Sequence, residues 1–212
     1  IQSFVRLRSV NPGFQPAGVL TARVPLSGGR NSAPDRRLAF FQQLTARVAT
    51  LPGVRAVGAV NGVPLAGLGL GSPFTVDGRP APTAEQRLTA VLRSVTPAYF
   101  QTMAIPLLAG RALEDSDNQQ APPVIVVNQA LARKFWPGAS AIGGRIAIEQ
   151  NAGRVAGIVG VVGDVKLDRI EGEDWPTIYN PYAQVPVAAM TLTVRTAGAP
   201  STSSRPPAPA RR

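Results

Sequence analysis

Residues 17–60 change hydrophobic period twice, and that change restricts the fold more than any other feature. In AGVLTARVPL (17–26), Leu20, Ala22, Val24 and Leu26 alternate with Thr21 and Arg23. This pattern predicts a half-buried strand. In the following segment to Gly53, Leu38, Phe41, Leu44, Val48 and Leu51 recur at helical spacing. Ser32 with Asp35 reads as a variant capping box, Pro34 suits a first turn, and Pro52-Gly53 stops the helix. VRAVGAV (54–60) then reads as a second strand. Strand, helix and strand within this span predict a split βαβ-type unit whose helix docks on a sheet.

Further elements follow. FTVDGR (74–79) predicts a short strand and turn, RLTAVLRSV (87–95) a strand, and TPAYFQTM (96–103) a short helix capped by Thr96. EDSDNQ (114–119) reads as a solvated acidic loop without regular cation-ligand spacing. PPVIVVNQALARKFWPG (122–138) gives a strand, a cap at Asn128, and a helix ended by Pro137-Gly138. Residues 143–166 read as two strands about a turn at Asn151 to Gly153. PTIYNPYAQ (176–184) reads as a proline-bounded edge strand and AAMTLTVRTAG (188–198) as the last strand. The segment 199–212 lacks apolar periodicity and is expected to be disordered.

Composition narrows the chemistry. The chain has neither cysteine nor histidine. This excludes a Ser-His-Asp triad, a thiol nucleophile and zinc held by Cys and His. Hydrophobic residues make up 44% and charged residues 16%, a composition that folds. The net charge of +10 points to an anionic partner, nucleic acid or a lipid surface. The arginines are scattered, however, and no helix carries a basic stripe interleaved with aromatics, which argues against nucleic acid. No run of 18 apolar residues occurs. The start, IQSFVRLRSV, has neither Met nor a leader pattern and looks excised from a longer protein.

GIVGVVGDVK (157–166) poses the main functional choice. A dinucleotide cradle needs G-x-G-x-x-G at a strand-to-helix turn. Here the spacing is G-x-x-G-x-x-G, and VKLDRIEGEDWP after Asp164 predicts no helix. The alternative is a long twisted strand with glycines at a bulge or a close approach. Asp164, Asp168, Glu171, Glu173 and Asp174 read as a solvated acidic patch, with an acid–base pair as the competing reading.

Candidate contact residues are few. Leu65, Leu68 and Leu70 lie in the glycine-rich NGVPLAGLGLGSP (61–73). They either fold back as core or form a mobile contact surface. Trp136, with Phe135, either anchors a partner or packs between subdomains, and Trp175 has the same ambiguity. Lys134 and Lys166 have no serine placed near them for a Ser-Lys pair.

An ordered set of segments carries a resemblance. VNPGF (10–14), LPGVRAVGAVNGVPLAG (51–67), FTVDGRPAP (74–82), LRSVTPAYFQTMAIPLLAGRAL (92–113), PPVIVVNQALARKFWPGASAIGGRI (122–146), VAGIVGVVGDVKLDRI (155–170), PTIYNPYAQ (176–184) and MTLTVRTAG (190–198) occur in order. Together they resemble the extracytoplasmic (periplasmic) core domain of MacB-like, FtsX-related ABC transporter permeases. The resemblance implies an α+β fold. Residues 1–100 and 185–198 would form a porter-like split βαβ subdomain, and 101–184 an inserted, mostly-β subdomain with one helix. The family's domain continues past the strand matching TLTVRT into an amphipathic helix and another strand, where this chain has a proline- and arginine-rich tail.

The resemblance also implies a role. The domain would be non-enzymatic, without cofactor or metal, and inserted between the first two transmembrane helices of an inner-membrane permease. ATP hydrolysis would belong to a separate cytoplasmic ATPase. The expected partners are that ATPase, acting through the membrane part, an extracytoplasmic adaptor or substrate, and a second copy in a dimeric transporter. A nucleotide-binding α/β enzyme and a basic nucleic-acid-binding domain are the alternatives.

Overall fold

The structure, a computed structural model, describes residues 11–26, 33–69, 71–80, 87–169 and 172–198. Ten strands occur among them: β1 (Val19–Pro25), β2 (Val54–Val60), β3 (Gly71–Val76), β4 (Leu88–Val95), β5 (Leu107–Gly110), β6 (Val124–Asn128), β7 (Arg145–Ile148), β8 (Val155–Val162), β9 (Thr177–Pro181) and β10 (Ala189–Thr196). The helices are α1 (Pro34–Ala49), α2 (Tyr99–Met103) and α3 (Gln129–Phe135).

The first and last described strands meet in a small sheet. β10 lies between β1 and β2, antiparallel to both, so β1 and β2 run parallel to each other across it. That is the expected split βαβ unit, with the last strand filling the gap. Its two faces differ. Val57 and Ala59 of β2 pack with Phe41 of α1, Met190 and Leu192. On the other face Gly58 lies against α2, where an added Cβ would stand 2.6 Å from the Tyr99 Cα. A side chain there would push α2 off the sheet.

Some residues behave differently from their pattern. Leu38, Leu44 and Val48 pack with Phe41, but Leu51 lies beyond the helix end and is exposed. β1 is an outer strand; only its Val24 end, with Leu26 beyond it, joins that core, and Leu20 is exposed. Ala33, not a side-chain cap, precedes α1, and Ser32 lies outside the described residues. Thr96 does not cap α2: its Oγ1 accepts from the Ala59 N–H at 2.8 Å, tying the helix entry to β2.

The remaining strands close on themselves. β4 pairs with β3, β3 with β7, β7 with β8, β8 with β6, β6 with β9, and β9 returns to β4 in parallel. This is a six-stranded ring. β9 is therefore bonded on both sides, not an edge strand. β3 and β4 come from before residue 101, so the ring draws on both halves of the chain. Its interior holds Phe74, Ile125, Ile146, Ile148, Ile158 and Ile178, and α3 adds Leu131 and Phe135. The Phe74 and Phe135 rings meet edge to face at 5.2 Å.

The glycines of β8 serve the ring. Opposite β6, the register shifts by one residue between Ile158 and Gly160. This bulge changes side-chain parity, so Ile158 and Val161 both belong to the interior cluster. A Cβ on Gly160 would lie 2.1 Å from the Arg111 carbonyl oxygen, and one on Gly163 would lie 2.9 Å from Pro106. No helix follows β8; the next element is β9. The expected turn closes β7 to β8 through a 3-10 turn at Glu149–Asn151 and left-handed Ala152 and Gly153.

A third core joins ring and sheet. Val91, Val126, Val162 and Tyr179 face out from the ring onto Tyr99, Phe100 and Met103 of α2 and Val60 of β2. The ladder between the two bodies consists of a single residue pair, Val60 with Val95. Backbone bonds from Thr96 to Ala59 (3.0 Å) and from Asn61 to Ser94 (3.2 Å) flank it.

Candidate functional site

Asp164 ends up in a structural knot. Asn128 caps α3 as expected: its Oδ1 accepts from Leu131 N–H at 3.1 Å and also from Thr177 N–H at 2.9 Å. Its Nδ2 donates to Asp164 Oδ1 (2.8 Å) and the Trp175 carbonyl (3.0 Å). Ala130 N–H and Arg133 donate to the same carboxylate at 2.7 and 2.8 Å. Burial raises the Asp164 pKa, against the pull of these donors and Arg133. A carboxylate so fully engaged fixes α3 to the strand ends.

Asp174 and Asp168 are also engaged, whereas Glu173 is exposed. Lys166 Nζ donates to the Gly172 carbonyl at 2.6 Å and pairs with Asp174 at 2.9 Å. Asp168 accepts from the Arg169 N–H. Glu171 lies outside the described residues. Among the described residues no group of three or more acidic side chains could hold a metal ion.

The acidic loop 114–119 departs from its solvated reading at Asp117, which is 3% exposed. Both its oxygens accept from Arg111 at 2.8 Å, and the Glu114 N–H donates at 2.8 Å. Burial pushes its pKa up, but the Arg111 bonds and the Glu114 N–H outweigh this and hold it below the usual range.

The contact candidates occupy different places. Leu65 is 41% exposed and adopts φ 61°, a left-handed conformation rare outside glycine. Its N–H donates to Lys166 O, and Gly67 N–H donates to Leu167 O, which pins the loop. Leu68 packs against the core joining ring and sheet, and Leu70 lies outside the described residues. Trp136 packs partly against the ring interior, under the Arg79 guanidinium at 5.3 Å. A Cβ on Gly144 would come 2.7 Å from its ring. The structure does not bring Trp136 and Leu65 into one surface: one packs on the ring core and the other rides on residues 166–167.

A cleft of about 740 Å³ opens beside the 61–69 loop, between β1 and β10 of the sheet and one mouth of the ring. Asn61, Ser94, Asn151 and Asn180 give it polar walls, and Val63, Val185 and Val187 apolar ones. Ser94 N–H donates to Asn61 Oδ1 at 3.1 Å and Ser94 Oγ to the Val185 carbonyl at 3.0 Å. Asn151 donates to Asn180 Oδ1 at 3.1 Å. Arg93 lies in its wall and is 3% exposed. Sequence reasoning missed this residue. The available signal was a single arginine inside the otherwise uncharged run LTAVLRSV.

Comparison with known proteins gives one consistent picture. The family model described as "MacB-like periplasmic core domain" matches residues 5–204. No curated protein matches the chain. The periplasmic region of MacB from Actinobacillus actinomycetemcomitans is similar with TM-score 0.57 and 16% identity, over 94% of this chain and 82% of that one. The extracellular domain of the noncanonic ABC-type transporter YknZ from Gram-positive bacteria aligns with TM-score 0.51 and 13% identity, over 86% and 83%. A domain of a permease protein from Porphyromonas gingivalis gives TM-score 0.51 and 16% identity, over 88% and 77%. At these identities the structures establish a shared fold, an α+β architecture, while the family model covers nearly the whole chain. Among the described residues no helix is long and apolar enough to cross a membrane. The chain belongs to the family of MacB-like periplasmic core domains, the extracytoplasmic part of ABC-type permeases.

Proposed function

We propose that this domain is a non-enzymatic transmission element that converts ATP-driven movement of membrane helices into handling of a substrate or partner outside the membrane. One observation carries this reading. β1 and β10, the first and last described strands, are hydrogen-bonded neighbours from Val19 opposite Arg195 to Pro25 opposite Ala189. A pull or push arriving from either side of the domain therefore enters one small sheet. The ring is attached to that sheet through a shared core, so a movement of the sheet turns it against the ring across the cleft. The ATPase acts through the membrane part, and the transporter works as a dimer. Leu65 and Leu70, with Trp136, supply apolar contacts for an adaptor or for the substrate itself. The porter-like part comprises 1–100 and 185–198 and the insert 101–184, with β3 and β4 of the first part completing the ring.

The test uses the full transporter with its ATPase in lipid. In a transporter whose other parts have been freed of cysteine, labels at Thr21→Cys and Gln150→Cys report the width of the cleft, because the domain contributes no cysteine of its own. The expected result is an inter-label distance that shifts when ATP binds and returns on hydrolysis. A distance distribution indifferent to nucleotide would defeat the proposal.

A further inference from the structure

Arg93 carries a charge that is neutralised by no carboxylate among the described residues. Guanidinium stays protonated in proteins, so the charge cannot be removed by pH. Nη1 donates to the Leu92 carbonyl at 3.3 Å and Nη2 to the Gly67 carbonyl at 3.1 Å. Nε, buried with them, has no acceptor. The ionisable groups whose charges bear on it are Tyr179 and Tyr99, phenols that burial keeps neutral. Carbonyl dipoles meet only part of the cost of burying a cation without a counter-charge. An orphaned donor on a buried cation calls for an anion.

The surroundings say where that anion sits. Arg93 borders the cleft, whose lining combines amide and hydroxyl groups with valines. The glycine loop is shaped to the guanidinium: a Cβ on Gly69 would stand 2.7 Å from Nη1 and one on Gly62 would stand 3.1 Å from Cζ. A side chain at either position would have to displace the guanidinium. The loop also holds Leu65 in a left-handed conformation, and the bonds of Leu65 and Gly67 to residues 166 and 167 keep it in place as a cover over the guanidinium. The volume suits a small organic molecule, and the apolar walls favour one with a hydrocarbon body. Arg23 also lines the cleft but is exposed to solvent, so the one buried positive charge is that of Arg93, which matches the single negative charge of a carboxylate better than a phosphate monoester near −2.

We propose that the cleft beside Arg93 binds an amphipathic carboxylate, with Arg93 as the charge partner and the 61–69 loop as the cover. The site is inferred from this chain alone, and its failure leaves the transmission reading untouched.

Octanoate is the probe, titrated into the 212-residue protein by calorimetry, with acetate, octan-1-ol and inorganic phosphate as controls. Octanoate is expected to bind saturably, at least tenfold more tightly than each control. Arg93→Gln is expected to weaken it at least tenfold. Thr21→Trp provides a second variant at an exposed position on β1, where the indole fills the cleft while Arg93 stays in place. It is expected to weaken octanoate at least fivefold and keeps the test decisive if Arg93→Gln does not fold. The proposal is overturned by no saturable binding, by octanol or phosphate binding as tightly as octanoate, or by a folded variant of either kind that binds like the parent.

Discussion

The ring and the small sheet bury their strands in opposite ways. Each ring strand has bonded neighbours on both sides, so the ring exposes no ladder edge, and its interior aliphatics pack around one axis. The sheet has three strands, its outermost strand β1 is largely exposed, and its core depends on α1 lying across one face. A closed ring is locked by its own geometry, whereas an open sheet is held by what docks on it. Regions of the second kind occupy the lower end of local stability. This division suits a part that receives movement attached to a part that keeps its shape.

Three variants test the contrast. Phe41→Ala should have the largest effect, because its ring is 1% exposed and meets Tyr182 edge to face at 5.4 Å. A loss of about 4 kcal/mol is expected in urea unfolding. Hydrogen exchange should quicken in α1 and β2 while β6 and β8 stay protected. Equal quickening in the ring would erase the contrast. Gly160→Val attacks the ring by forcing a side chain toward the Arg111 carbonyl. About 3 kcal/mol should be lost, with exchange rising across β5, β6 and β8 together. A neutral result would show that the bulge is not needed for closure.

The smallest effect concerns the tie between the regions. Gln119, in the loop that Asp117 anchors, donates to Asp35 of α1 at 3.1 Å. Asp117→Asn should cost about 2 kcal/mol at neutral pH by weakening the Arg111 fork. Because the folded pKa of Asp117 lies below its ordinary value, its contribution is present above roughly pH 4 and fades as pH falls through the depressed value. The variant should therefore lack part of the parent's acid-side loss, read as melting temperature between pH 5 and 2. An unchanged acid slope would remove Asp117 from the joint.

Local pattern revealed much of this fold. Helical spacing marked α1, the Asn128 cap held in place, and the turn joining β7 to β8 fell where Asn151 and Gly153 indicated. The glycine strand was legible as a strand because no helix-forming sequence follows it. What escaped was long-range. Parallel pairing of β4 with β9 joins residues more than eighty positions apart, and nothing in either segment announces its neighbour. Hence β9 read as an edge. Asp117 read as solvated because its partner, Arg111, lies outside the acidic run. Arg93 escaped because a two-residue alternation shows which face a side chain takes, not whether a counter-charge awaits it. The polar groups of its cleft come from β4, β9, the β7–β8 turn and the glycine loop, and only folding assembles them.

The solitary rung between Val60 and Val95 has a mechanical consequence. A long ladder would resist twisting between two bodies with many bonds at once. Here torsion about the β2–β4 junction strains the few bonds around that rung and the distant Gln119–Asp35 bond, while the aromatic and aliphatic packing of α2 opposes sliding. The junction is soft to rotation and stiff to shear, which is the behaviour of an axle.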